Sequence, residues 1–172
     1  MKEKLIIMGI APCLEDDLAA IVKKYDEYDF MAIGVDCSDR VAFDIRHAAS
    51  YHSNEFEQFR LRRSRIGGNL DYITHSHEAP CDQKWPLVAP SPHSGSSAFL
   101  GAQAGVGMGY KKIILCGCPM TGANNDPNKK ERYDTFQKGW IKFVDMLQGR
   151  VRSMSGWTKE FLGAPTEEWL NG

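Results

Sequence analysis

Residues 94–120 constrain the fold of this 172-residue chain more than any other segment. They read SGSSAFLGAQAGVGMGYKKIILCGCPM, which predicts a turn, a helix, a buried strand and a second turn, in that order. The helix is rich in glycine and alanine, which lowers its intrinsic stability but lets it approach a sheet closely. Residues 113–116 are uninterruptedly apolar, as is typical of a parallel strand covered on both faces. The segment therefore predicts an α/β fold.

Strands and helices alternate along the rest of the chain with short connections. The predicted strands are 4–8, 30–35, 47–51, 72–75, 113–116 and 151–154, and the predicted helices are 14–25, 55–63, the segment after the 94–97 turn, and 133–147. Proline-rich residues 78–92 are expected to form irregular loop, and polar residues 121–130 are the candidate lid. This order predicts a mostly parallel, doubly wound sheet with helices on both faces, in one Rossmann-like domain over residues 1–172.

Ligands of such folds bind beyond the carboxyl ends of the strands, where the strand order reverses. The loops expected to meet there are 9–13, 36–39, His52, 75–77, 94–97 and 117–120. A serine- and glycine-rich turn before a helix offers free backbone N–H groups and a helix dipole, which suit a phosphate. The same turn is equally typical of a simple helix cap, and that alternative stays open. Neither GxGxxG nor a P-loop sequence occurs in the segment.

Composition and charge limit the classes of partner. The net charge of -1 gives no electrostatic basis for extended nucleic-acid binding. One basic cluster occurs, at Arg60, Arg62, Arg63 and Arg65, and it is expected to be a solvated helix face. Five scattered cysteines and the lack of a secretory signal indicate a reduced, cytoplasmic setting. No run approaches membrane-spanning length, so no membrane partner is expected.

Histidines are the candidate general bases, because their ordinary pKa lies near neutrality. His52 and His75 follow or end predicted strands and are the preferred candidates for a catalytic role. His47 and His93 are expected to be structural or surface histidines. His75 and His77 with the neighbouring Glu78 have alternating spacing that also suits a metal ion, but no metal ligand is assigned.

Two stretches carry a resemblance to a known superfamily. The opening IIMGIAPCL resembles the strand and G-x-G-P-S-L loop of bacterial sialyltransferases that use a CMP-sugar donor, and of the related domain in archaeal 6-hydroxymethylpterin diphosphokinase-like proteins. Residues 94–120 resemble their T/S-S-G turn, small-residue helix and following strand. Small phage and prophage proteins of unknown role look similar too, including over RVRSMSGWTKEFLGAP.

The resemblance implies a nucleotide site. It puts Gly9, Ala11 and Pro12 around the phosphates and ribose, and Ser94, Gly95 and Ser96 against the nucleoside. It also puts Asp36 and His52 in loops that contact the nucleotide or the acceptor. Ser97, Gly117 and Pro119, in the loops gathered at the same edge, complete the predicted nucleotide-binding set.

Two functions follow as hypotheses. The first is a small, glycosyltransferase-like transferase that holds a nucleotide or nucleotide-sugar donor and uses His52 or His75 as base. The second is a non-catalytic, phage-encoded protein that binds or sequesters a nucleotide in the host cytoplasm. It is motivated by a departure from the transferases, whose catalytic lid histidine has no counterpart because no histidine follows His93. Trp157, Phe161 and Trp169 are expected to form an apolar patch that a second subunit covers.

Overall fold

Seven parallel strands form one sheet in the order β5-β4-β3-β2-β1-β6-β7 in the computed structural model, which describes residues 2–87, 96–121 and 127–172. The strands are β1 Lys4–Met8, β2 Tyr28–Ile33, β3 His47–Ala49, β4 Ile73–Ser76, β5 Gln83–Lys84, β6 Lys112–Cys116 and β7 Val151–Ser153. Met8 is level with Ala32 on one side and with Cys116 on the other. The carboxyl ends of the central strands therefore meet at one edge.

Helices cover both faces of this sheet. They are α1 Leu14–Ile21, α2 Phe56–Arg65, α3 Ser96–Gly107, α4 Pro127–Phe143, α5 Gly156–Leu162 and α6 Glu167–Asn171, with short 3-10 turns at Tyr25–Glu27, Val35–Cys37, Ser53–Glu55 and Val144–Leu147. Leu5 and Ile7 of β1 pack with α3, α4 and α5, whereas Ile6 and Met8 pack with α1, α2 and α6. The predicted doubly wound, Rossmann-like α/β fold is confirmed.

Helix α3 lies unusually close to the strands. A Cβ atom added at Gly105 would lie 2.9 Å from Ile113 Cδ1 and 2.9 Å from Leu5 Cδ2, so a larger residue would have to displace these two side-chain ends. Phe99 and Ala102 of the same helix are also buried. The small residues of this segment therefore bring the helix against the sheet, as its sequence predicts.

The largest differences from the sequence-based predictions concern three elements. Helix α1 ends at Ile21 rather than residue 25, because Val22 is extended and a 3-10 turn follows. Strand β5 lies in the segment expected to be irregular, where His75 is level with Gln83. Helix α4 begins at Pro127, in the last part of the candidate lid, and proline is well suited to a first helical turn. Residues 122–126 of that lid lie outside the described residues.

Arg63 corrects the expectation that the arginine cluster is a solvated face. Its side chain is fully buried, and burial lowers its pKa. Its Nη1 donates to the carbonyl of Val41 at 2.7 Å, and its Nη2 donates to the carbonyl of Phe43 at 3.0 Å and to Asn69 Oδ1 at 2.9 Å. The guanidinium thus fixes the loop that follows the 3-10 turn after β2.

We predict that Arg63→Met lowers the free energy of unfolding by about 3 kcal/mol, because it leaves buried carbonyls of this loop without donors. The matched control is Arg60→Met on the exposed side of the same helix, with an expected change within about 0.5 kcal/mol. Urea denaturation followed by circular dichroism measures both. Equal losses in the two variants would contradict a structural role for Arg63.

The C-terminal aromatic residues are packed within the chain. The rings of Trp157 and Phe161 stack with centroids 4.9 Å apart, and both pack against the core on the α3 side. Lys112 Nζ lies 4.9 Å from the ring centroid of Trp169. All three aromatic side chains are partly buried, and Trp169 packs against the core on the α1 side of the sheet rather than the α3 side, so the three do not form one patch. A homo-oligomer stays a prediction.

Among the helices in the described part of the chain, none combines the length and the apolar character needed to cross a bilayer.

Candidate functional site

The strand order reverses between β1 and β6. From β1 the chain proceeds outward through β2, β3, β4 and β5, and then returns to the other side of β1 to form β6. Gly9 follows β1 directly and Gly117 follows β6 directly. The structure therefore brings these two predicted site residues together at the topological switch point, the usual ligand position in this class of fold.

The two loops are in direct backbone contact there. The N–H of Gly9 donates to the carbonyl of Cys116 at 2.8 Å, and the N–H of Ala11 donates to the carbonyl of Gly117 at 3.1 Å. A Cβ added at Gly9 would lie 2.3 Å from the carbonyl oxygen of Gly117. Pro12 is exposed and Pro119 is half-buried beside this contact. These amides are thus bonded to the neighbouring loop rather than directed at solvent.

Asp17 joins three elements beneath the same loops. It is almost completely buried, its Oδ2 accepts from the N–H of Gly117 at 2.8 Å, and its Oδ1 accepts from Ser155 Oγ after β7. By sequence, Asp17 lies in the first turn of the predicted helix 14–25, where a carboxylate suits the helix dipole. The missed signal is its spacing with Leu14 and Leu18, which puts a carboxylate on the buried face of the helix.

A second group of predicted residues meets at the ends of β3 and β4. The N–H of Tyr51 donates to Ser97 Oγ at 3.3 Å, so the first turn of α3 lies beside the end of β3. The ring of His52 is exposed next to it, and its N–H donates to Ser50 Oγ at 3.1 Å. Ser96 Oγ accepts from the N–H of Ala98 at 3.3 Å, which is a helix-capping contact.

His77 and Glu78, after β4, complete this group. The ring of His77 lies 4.9 Å from that of Tyr51, and Glu78 Oε1 accepts from the N–H of Ser53 at 3.4 Å. His77 Nδ1 is buried and has no hydrogen-bond partner within the residues described. We name Tyr51, His52, His77, Glu78 and Ser97 together the β3–β4 rim.

Asp36 lies in the 3-10 turn after β2, the strand next to β3. Its carboxylate is exposed and pairs with Arg62 Nη1 at 2.8 Å. Ser94 and Gly95, which were also predicted to contact the nucleotide, lie outside the described residues. The loops after β1 and β6 are therefore hydrogen-bonded to each other, whereas the β3–β4 rim carries an exposed histidine, His52.

His75 takes part in a buried chain of hydrogen bonds. Trp85 Nε1 donates to its Nδ1 at 3.0 Å, and its Nε2 lies 2.9 Å from His47 Nδ1. His47 Nε2 lies 2.9 Å from the hydroxyl of Tyr110, which donates to Asp29 Oδ2 at 2.7 Å. Because tryptophan can only donate, neutral His75 carries its proton on Nε2, and neutral His47 does the same.

All four bonds therefore run in one direction, from the indole to the carboxylate. The expectation that His47 is structural is confirmed. Both nitrogens of His75 are bonded within the protein and its ring is fully buried, so the geometry does not favour His75 as a general base. Of the two predicted bases, only His52 has an exposed ring.

Protonation states follow from the burial of this chain. Burial lowers the pKa of His47 to about 4 and the pKa of His75 to about 3. Burial also raises the pKa of Tyr110, and its bond to Asp29 raises it further. Burial alone would raise the pKa of Asp29, but the hydrogen bonds from Tyr110 and from the N–H of Lys2, together with the charges of Arg46 and Lys2, outweigh it and lower that pKa. Near neutrality the imidazoles are neutral and the carboxylate is ionised.

We predict that stability falls as the pH drops below about 6.5, because the unfolded chain then protonates two histidines that the fold keeps neutral. Uptake of two protons on unfolding corresponds to a slope of the free energy of unfolding of up to about 2.7 kcal/mol per pH unit between about pH 6 and pH 4.5. This range is chosen because most carboxylates titrate below it. Urea denaturation between pH 7.5 and 4.5 measures this slope.

His52→Gln is the matched control and is expected to leave the slope unchanged. NMR of the imidazole ring signals supplies an independent check, since His47 and His75 should remain neutral at pH 5 in the folded protein. A flat stability profile, or ring titration of either residue near pH 6.5, contradicts the prediction.

Fold and switch point together define a Rossmann-like α/β protein. No family model, curated protein or solved structure matches this chain. The resemblance to CMP-sugar sialyltransferases therefore stays a prediction. Within the residues that the structure describes, no group of three or more histidine, cysteine, aspartate or glutamate side chains is arranged to hold a metal ion.

Proposed function

We propose that this protein binds a nucleotide or nucleotide-sugar at the β3–β4 rim and acts as a glycosyltransferase-like transferase. The observation that carries the proposal is the bond between the N–H of Tyr51 and Ser97 Oγ, which brings the first turn of the 12-residue helix α3 to the end of β3. Helix N-terminal amides and the helix dipole stabilise an anion, and folds of this class bind ligands at this edge.

In this proposal, the diphosphate or monophosphate of the donor lies at the start of α3, beside exposed His52. The acceptor hydroxyl attacks the anomeric carbon, a new carbon–oxygen bond forms, and the bond from that carbon to the phosphate oxygen breaks. His52 accepts the hydroxyl proton as general base. The nucleotide leaves with the electron pair, and the amides of α3 stabilise its added negative charge.

Gly9, Ala11 and Gly117 have a supporting part in this proposal. Their amides bond the loops after β1 and β6 to each other and to Asp17. In this proposal, these bonded loops support the ligand from below, and their amides do not bind its phosphate. Pro12 and Asp36 are exposed and lie in loops at the same edge, and in this proposal they contact the sugar or the acceptor, with Asp36 also paired to Arg62.

A non-catalytic nucleotide-binding protein is the second candidate. It is favoured by the burial of His75 and by the internal bonds at both of its nitrogens, which leave His52 as the single exposed histidine of the two predicted bases. Turnover separates the two candidates, because a binding protein leaves the donor intact.

We expect calorimetry of the full chain against CMP, UMP, GDP and ADP to detect binding of at least one nucleotide. Ser97→Ala removes the acceptor that holds the end of β3, and is expected to weaken that binding about 5- to 10-fold, the equivalent of one hydrogen bond. His52→Ala is expected to leave nucleotide binding nearly unchanged and to lower turnover of the matching nucleotide-sugar about 100-fold or more.

Ser64→Ala, at an exposed serine of α2, is the matched control and is expected to change neither quantity. Failure of all four nucleotides to bind eliminates the proposal. Binding without turnover of any tested nucleotide-sugar selects the second candidate. An equal loss of binding in Ser64→Ala and Ser97→Ala would show that the β3–β4 rim is not the site.

A further inference from the structure

A cleft of about 660 Å³ opens at the edge of the sheet opposite the β3–β4 rim. Lys2, Tyr28, Arg46 and Ile73 line it, and each lies before or at the first residue of one of the strands β1 to β4. The cleft therefore belongs to the amino-terminal edge of the sheet. Its volume lies within the range of about 300–1,000 Å³ that is usual for small-molecule sites.

One wall of the cleft is aromatic. The rings of Tyr25 and Phe43 have centroids 4.9 Å apart, and those of Phe30 and Phe43 are 4.6 Å apart. Tyr25 is 52% exposed, so part of this wall is open to solvent although the three rings pack on one another. The faces of aromatic rings carry negative charge density and attract a cation placed over them.

Negatively charged side chains outnumber positively charged ones in the cleft. Four aspartates line it, Asp26, Asp29, Asp44 and Asp71, against two cationic side chains, Lys2 and Arg46. Lys2 Nζ already donates to the carbonyl of Tyr28 at 2.7 Å, and Arg46 Nε lies 3.8 Å from Asp29 Oδ2. Both cations thus have partners within the protein, and the four aspartates against two cations give the cleft lining a net negative charge.

Asp29 supplies the negative charge at the base of the cleft, and the buried chain of hydrogen bonds holds its carboxylate in place. Asp29 is 5% exposed, and its Oδ2 accepts from the hydroxyl of Tyr110 at 2.7 Å and from the N–H of Lys2 at 3.1 Å. Asp26 and Asp44 are exposed, and within the described parts of the chain neither carboxylate forms an ion pair or a hydrogen bond. They are therefore available to a ligand.

We infer that this cleft binds a small organic cation with an apolar body, such as an aryl-alkyl amine. The ammonium group pairs with Asp26 and Asp44, and the apolar body packs on Tyr25 and Phe43. An anion is disfavoured because four aspartates line the cleft against two cationic side chains, of which Arg46 is paired with Asp29. This inference does not depend on the proposed nucleotide site, which lies at the other edge of the sheet.

Three probes of one shape and different charge test it. Phenethylamine is a cation, 2-phenylethanol is neutral and phenylacetate is an anion at pH 7. We expect amide NMR titration of the full chain at low salt to show saturable shifts at residues 25–30 and 43–46 for phenethylamine. Its Kd should be at least about 10-fold lower than that of 2-phenylethanol, and phenylacetate should give no saturable shift.

Two sets of variants assign the contacts. The double variant Asp26→Asn with Asp44→Asn is expected to weaken phenethylamine binding at least about 5-fold and to leave 2-phenylethanol binding unchanged. Asp134→Asn, at an exposed aspartate of α4, is the matched control and should change neither. Asp29→Asn is avoided because it alters the buried chain. Tyr25→Leu is expected to weaken binding of the cation more than of the neutral probe.

Four outcomes would overturn the inference. The first is equal binding of all three probes, which would leave only apolar contact. The second is tightest binding of phenylacetate, which would mean that Lys2 and Arg46 dominate. The others are shifts confined to another part of the chain, and no saturable shift for phenethylamine at millimolar concentration.

Discussion

Burial of the central strands on both faces is the constraint on which the rest of this structure depends. Residues 5–8 and 113–116 are buried in β1 and β6, so both faces of the sheet are covered by helices and no ligand reaches the strands from either face. Within the described residues, the accessible positions next to the central strands lie at their carboxyl and amino ends. The β3–β4 rim occupies the carboxyl edge, and the acidic, aromatic-walled cleft occupies the amino edge.

The same burial favours partners within the chain for the polar groups between sheet and helices, although Trp140 Nε1 and Arg63 Nε have none among the described residues. Arg63 bonds to loop carbonyls, Asp17 bonds to Gly117 and Ser155, and the two buried histidines share one directional chain. Unpaired groups at such positions would each cost about 1–3 kcal/mol. These hydrogen-bonded side chains therefore stabilise the fold. Contacts with a ligand are made by residues at the ends of the strands.

Three examples show which features could be predicted from the sequence and which could not. Strand β1 was predicted with its observed bounds, because the apolar run Leu5–Met8 is preceded by charged residues and ends at Gly9 in a turn-rich segment. Strand β5 was missed, because Gln83–Lys84 is exposed and polar and pairs with β4 through its backbone alone. The sequence could not distinguish His52 from His75 as a candidate base, because both are histidines at or just after the end of a predicted strand.

By itself, the sequence determined the α/β class, the parallel sheet and the start of α3 near Ser96. Apolar periodicity and turn residues are local signals, and local signals specify local structure. Only the tertiary structure decided which amides and imidazoles are already bonded. The partners of these groups are distant in the chain, since Gly117 and Asp17 are 100 residues apart and Tyr110 and Asp29 are 81 apart. No spacing within the sequence encodes such contacts, because they exist only after the strands have paired.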